Sequence, residues 1–215
     1  MKKLYYNAYD PFSFISHFIG FILGFIFLFI VIIFHLINDY YFINITGLYF
    51  YCISMILLYG ASSYYHYLDI NDNKKLFSRK LDHSMIYILI AGSYAPICLN
   101  YVDLNFGIRF LIIMFSIAFV GIISKIFWLN APRIFYTSLY LLMGWAIAFD
   151  FSSFSNIPNI LLFFVALSGT SYSIGAIIYV MKKPNFNKLN FHDVFHIFVL
   201  IGTMLQLIAY CYYIL

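Results

Sequence analysis

Charge is what this chain has least of. Asp, Glu, Lys and Arg together make up 9% of its 215 residues, against about 25% in a water-soluble domain. That scarcity excludes a soluble fold whose apolar stripes alternate with charged faces. Cysteine is also scarce. Cys52, Cys98 and Cys211 are odd in number, far apart and set in apolar runs, which argues against a disulfide framework or a thiolate metal site. They read as small apolar core residues. No long basic block or basic helical face is present, so the net charge of +4 does not point to nucleic acid. The first apolar run, Phe12 to Phe34, lacks a small-residue cleavage site and is too long for the core of a secretory signal. It reads as a first membrane span.

What is there is apolar. Hydrophobic residues make up 64% of the chain, and the mean hydropathy is +0.91. The apolar runs are Phe12 to Phe34, Ile43 to Tyr65, Leu81 to Leu99, Phe106 to Phe127, Ile134 to Phe151, Ile157 to Met181 and Phe191 to Tyr213. A spanning helix needs roughly 20 residues, so seven spans leave room only for short connections. The expected fold is therefore an all-α membrane protein, one seven-transmembrane-helix bundle over residues 1–215. Turn-forming residues separate the runs at Asn71-Asp72-Asn73, Asn130-Ala131-Pro132, Asn156-Ile157-Pro158 and Lys183-Pro184-Asn185.

The few cations are not scattered. Lys2, Lys3, Lys74, Lys75, Arg79, Lys80, Lys125, Arg133, Lys182, Lys183 and Lys188 all fall on one side of a seven-span chain. Arg109 alone falls on the other. By the positive-inside rule the N-terminus is cytoplasmic and the C-terminus outside, in a multi-pass protein of the cell membrane. The aromatic content of 23% is expected at lipid-facing and interfacial positions, as at Tyr40-Tyr41 and Tyr212-Tyr213, rather than on a stacking surface.

Ionisable groups inside a span are costly, and here they have a pattern. Of six histidines, His17, His66, His83, His192 and His196 lie near the cytoplasmic face, whereas His35 lies near the opposite one. His192 and His196 are four residues apart, which puts both imidazoles on one side of a helix, as when one helix donates two metal ligands. Ser62 and His66 share that spacing, and Asp82 lies just inside the third span. Three neutral imidazoles would leave a fourth zinc position open for water, the arrangement of catalytic rather than structural sites. A carboxylate such as Asp82 can deprotonate that water, and Ser62 can hydrogen-bond it or a developing oxyanion.

Each residue also has a plainer use. His192 and His196 can bond headgroups or loop carbonyls, and Asp82 can pair with Arg79 or Lys80. Ser62 and Ser63 can bond the carbonyl one turn back. His17 and His83 fit either supporting donors behind the ligands or interface residues. Asp82 and His83, being adjacent, diverge by about 100° around a helix.

The stretches Ile15-Ser16-His17-Phe18-Ile19-Gly20, Ser62-Ser63-Tyr64-Tyr65-His66, Leu81-Asp82-His83 through Ile90-Ala91-Gly92-Ser93-Tyr94-Ala95-Pro96, Met143-Gly144-Trp145 and Phe191-His192-Asp193-Val194-Phe195-His196 with Phe198-Val199-Leu200-Ile201-Gly202 together resemble the haemolysin III family. That family sits within the progestin and adipoQ receptor superfamily, and the resemblance covers nearly the whole chain, in order. It implies a zinc ion near the cytoplasmic side, held by His66, His192 and His196, with Asp82 and Ser62 beside a metal-bound water. Phe18, Phe195 and Gln206 depart from the family, which commonly has glycine, tryptophan and another histidine there. Gln206 lies about 15 Å along the helix from His196, too far to affect the metal. Receptor members carry a long N-terminal domain that this chain lacks, so no protein hormone is expected as a partner. Membrane lipids are.

The function expected first is zinc-dependent hydrolysis of a lipid amide or ester, ceramidase-like. Two alternatives stand beside it: a pore-forming, cytolytic haemolysin, or a non-catalytic sensor or regulator of membrane lipid state. No span carries a polar stripe suited to lining a wide channel.

Overall fold

The computed structural model describes residues 7–38, 42–71, 73–187 and 189–215. These residues form helices and connections, with no strand among them. In chain order the helices are α1 (Pro11–Ile37), α2 (Phe42–Tyr67), α3 (Lys75–Cys98), α4 (Leu104–Phe127), α5 (Arg133–Gly144, continued by a 3-10 segment Ala146–Phe154), α6 (Asn159–Met181) and α7 (Phe191–Ile214). Six of them, all but α3, are long and apolar enough to cross a membrane, and the protein is an integral, multi-pass membrane protein. Asp39, Tyr40, Tyr41, Asp72, Lys188 and the segment with Lys2 and Lys3 lie outside the described residues.

The helices match the apolar runs, with two differences that matter. Helix α3 begins at Lys75, six residues before the expected Leu81. Lys75 explains the early start: its Nζ donates to the carbonyls of Tyr65 (2.9 Å) and Leu68 (2.8 Å) at the end of α2, the oxygens a helix C-terminus leaves unsatisfied. Tying the end of α2 to the first turn of α3 brings Arg79, Lys80, Asp82 and His83 onto one continuous helix beside His66.

Helix α5 is not continuous over Ile134 to Phe151 but breaks at Gly144 and Trp145. The phenol of Tyr94, from α3, enters the break. It donates to the carbonyls of Met143 (2.8 Å) and Gly144 (2.7 Å) and accepts from the Ala146 amide (3.2 Å). A helix within a membrane tolerates a break only where such partners re-satisfy the backbone.

Packing runs in sequence order: α2 lies against α1 and α3, α3 also against α4, α5 against α6, and α6 against α7, with α1 closing on α7. Helices α2 and α3 are the most enclosed and supply most of the buried core, including Tyr51, Met55, Tyr59, Tyr87 and Ala91. Two of the glycines that permit close approach shape the centre of the bundle. A Cβ on Gly20 would stand 2.6 Å from the Tyr59 ring, and one on Gly202 would stand 2.7 Å from the Tyr172 ring. Both tyrosines therefore reach inward, where their hydroxyls meet Thr203 Oγ1 at 2.6 and 2.9 Å. Tyr51 donates to the Thr203 carbonyl (3.1 Å). This network joins α1, α2, α6 and α7 at mid-bundle. Cys52, Cys98 and Cys211 are free thiols, the first two buried.

Candidate metal centre

The site forms where the first turns of α1, α3 and α7 meet the last turn of α2. Helix α7 starts with a capping box. Asn190 Oδ1 accepts from the amides of His192 (2.7 Å) and Asp193 (3.1 Å), and Asp193 Oδ2 accepts from the Asn190 amide (3.0 Å). Such a box satisfies donors that a helix start would otherwise orphan. The second Asp193 oxygen accepts from Ser13 Oγ at 2.7 Å, so the turn carrying both α7 histidines is tied to α1.

His66, at the end of α2, is 2% exposed. Its Nδ1 donates to Asp10 Oδ2 at 3.0 Å, because a carboxylate can only accept. Nε2 is left as the lone-pair nitrogen, buried and without a partner. Half-burial pushes the Asp10 carboxyl up, but the His66 hydrogen bond, with Lys75 nearby, outweighs it and holds the group below its ordinary value. Asp10 precedes the first helix and was not among the residues expected from sequence. Its one local signal is the Asp10-Pro11 pair, ordinary for a helix start.

One ring nitrogen from each of His66, His192 and His196 lies within 4.8 Å of the others. This group could hold a metal ion. Among the buried polar atoms with no hydrogen-bond partner are His66 Nε2, His192 Nε2 and His196 Nδ1. Buried imidazole nitrogens left unsatisfied are expensive, and bonds to one ion would satisfy them.

Ser62 Oγ, one turn before His66, is also buried and unpartnered, while its neighbour Ser63 bonds the Tyr59 carbonyl at 2.6 Å. The plain reading of serine in a span therefore holds for Ser63 and not for Ser62. Asp82 is buried, and His66, Ser62, Lys125 and Arg79 surround its carboxylate. Among the described residues it makes no ion pair with Arg79 or Lys80; its nearest charged-type partner is His83 Nε2 at 4.0 Å. The two adjacent side chains thus diverge at the backbone yet meet at their tips. His83 Nδ1 in turn stands 3.4 Å from Lys125 Nζ. His17 stacks on His196, with ring centroids 3.6 Å apart and an interplanar angle of 18°, and both of its nitrogens are buried and unpartnered. His35, at the far end, bonds the Tyr49 hydroxyl at 2.8 Å.

The site opens into a cavity of about 430 Å³ that runs between the helices from His17, Asp82, His192 and His196 to Gln206 and Tyr210. This falls within the range of sites that enclose small organic ligands.

The chain matches the family described as Haemolysin-III related over residues 5–207. It is 36% identical to the "Hemolysin-3 homolog" of Bacillus subtilis (strain 168) over 165 residues, 75% of this chain and 74% of that protein. With the "Hemolysin-3" of Bacillus cereus it shares 34% identity over 202 residues, 94% of this chain and 90% of that protein. A match of this extent, on a helical membrane bundle that brings the quoted histidine stretches together, means that the chain belongs to the haemolysin III family.

Proposed function

We propose that this protein is a seven-span zinc hydrolase that cleaves the acyl amide or ester of a membrane lipid. The observation that carries the reading is the gathering of three unpartnered imidazole nitrogens beside a cavity whose wall includes His192, His196 and the buried carboxylate of Asp82, with Ser62 next to that carboxylate. Helix α3 would be the seventh span, and the cations gathered at the histidine end support a cytoplasmic site.

His66, His192 and His196 would hold the zinc, with Asp10 fixing the tautomer of His66 from behind. The ion, when bound, would polarise an acyl carbonyl and bring the pKa of a water to about 7. Asp82 is placed to take a proton from a water whose oxygen attacks the carbonyl carbon. Ser62 donates a hydrogen bond to the oxygen on which charge develops. The acyl C–N or C–O bond then breaks, and Asp82 returns the proton to the departing amine or alcohol. The acyl chain occupies the cavity, shielded from water. His17 and His83 support the ligands and Asp82 respectively, by stacking on His196 and by closing on the carboxylate.

Metal analysis and turnover of ceramide and phospholipid analogues by purified protein test this reading. Stoichiometric zinc with no turnover of either, together with a His192→Ala variant indistinguishable from wild type in cells, would sink it. The names of the two relatives favour a second reading, cytolysis. Dye leakage from liposomes that persists after zinc is stripped would favour that reading over hydrolysis.

A further inference from the structure

The cavity's histidine end is unbalanced in charge. Arg79, Lys125 and Arg133 line it, and Asp82 is the single acidic residue among its walls. No Asp or Glu lies within ion-pair distance of any of the three cations among the described residues. Arg133 rests over the Tyr179 ring (4.8 Å) and donates to the Tyr179 carbonyl (3.4 Å). Lys125 is the unusual member. It is only 3% exposed, its ammonium lies 3.2 Å from the centre of the Tyr136 ring, and its one hydrogen-bond contact is His83 Nδ1.

Cations at helix ends commonly reach out to lipid headgroups, and that accounts for exposed Arg133. It does not account for Lys125, which is enclosed and lines the cavity. An enclosed amine without a carboxylate beside it keeps its positive charge only where an anion comes to it. Below the cations the walls turn apolar, with Ile86, Leu89, Val165 and Val199. A ligand matching both ends is amphiphilic, with an oxyanion at the head and hydrocarbon behind.

We infer that the cavity binds an anionic acyl lipid, its phosphate or carboxylate oxyanion held by Arg79, Lys125 and Arg133 and its acyl chain lying between the apolar walls toward Gln206. Within the hydrolase reading, on which this point rests, the substrate class is then a charged acyl lipid rather than a neutral one. Binding itself requires no turnover.

The test is lipid binding by the purified full-length protein, read by native mass spectrometry and by thermal stabilisation. The probes are dioleoylphosphatidylglycerol, oleate, dioleoylglycerol, ceramide and inorganic phosphate. Phosphatidylglycerol or oleate should bind, and Lys125→Met and Arg79→Gln should each weaken that binding about tenfold, the worth of one charge-assisted contact. Lys125→Arg should retain it, and Arg109→Gln, a cation remote from the cavity, should leave it unchanged. Stronger binding of phosphatidylglycerol than of oleate assigns the head to a phosphate, and the reverse to a carboxylate. Equal binding of neutral and anionic lipids overturns the inference. So does anionic-lipid binding untouched in well-folded Lys125→Met, or inorganic phosphate binding as tightly as the lipids. Charge-dependent binding of phosphatidylglycerol with hydrolysis of neither it nor ceramide would remove the hydrolase reading alone, whereas hydrolysis of ceramide with no effect of Lys125→Met would remove this one alone.

Discussion

Asp10 and His66 lie 56 residues apart in sequence and 3.0 Å apart in space, the carboxylate accepting from Nδ1 while Nε2 turns inward without a partner. The segment holding Asp10 is itself fastened to the end of α2, where the Asp10 amide donates to the His66 carbonyl at 3.1 Å. A carboxylate that fixes the tautomer and orientation of a ligating histidine is the usual support of a metal centre.

Asp10→Asn should therefore weaken metal retention about 10- to 100-fold while leaving the helices intact. Competition with a chelator, followed by metal analysis and circular dichroism, checks it. Unchanged retention would mean that Asp10 serves only to anchor the chain.

His66→Ala, His192→Ala and His196→Ala should each reduce bound metal to a small fraction of wild type, since two imidazoles cannot complete a tetrahedral set. His35→Ala, at the opposite end, should keep full occupancy. Metal-to-protein ratios of the four purified variants decide the matter.

Ser13→Ala and Asn190→Ala strike the start of α7 from two directions. Loss of the Asn190 N-cap costs about 1 kcal/mol and loss of the Ser13 hydrogen bond to Asp193 about as much, so each variant should melt lower, and metal should raise the melting temperature of both because it also ties α7 to α2. Thermal scans with and without added zinc measure this.

Tyr94→Phe would leave the carbonyls freed by the α5 break with one partner fewer. An unsatisfied buried polar group costs about 1–3 kcal/mol, which should appear as reduced thermal stability with metal content unchanged. Gly20→Val should destabilise by a similar amount, because its side chain would collide with the Tyr59 ring. Here metal content should fall as well, since His17 packs its edge on Tyr59 (5.0 Å) and its face on His196.

Sequence alone determined the helical membrane character, because lipid demands that each crossing segment satisfy its own backbone and be apolar along its whole length. It also pointed to His66, His192 and His196, two of them through helical spacing and all three through the family resemblance. Only the tertiary structure decided what stands around them. Asp10, which no local pattern singles out, is the partner of His66. Lys125 looked like a topology signal at a helix end and proved to be enclosed beside His83 and Tyr136. The break in α5 was invisible in its own residues because its stabilising group, the Tyr94 phenol, comes from another helix. Local patterns record what a segment needs from its solvent; contacts between residues far apart in the chain depend on how the helices pack, and that is where this site acquires its supporting carboxylate and its charged mouth.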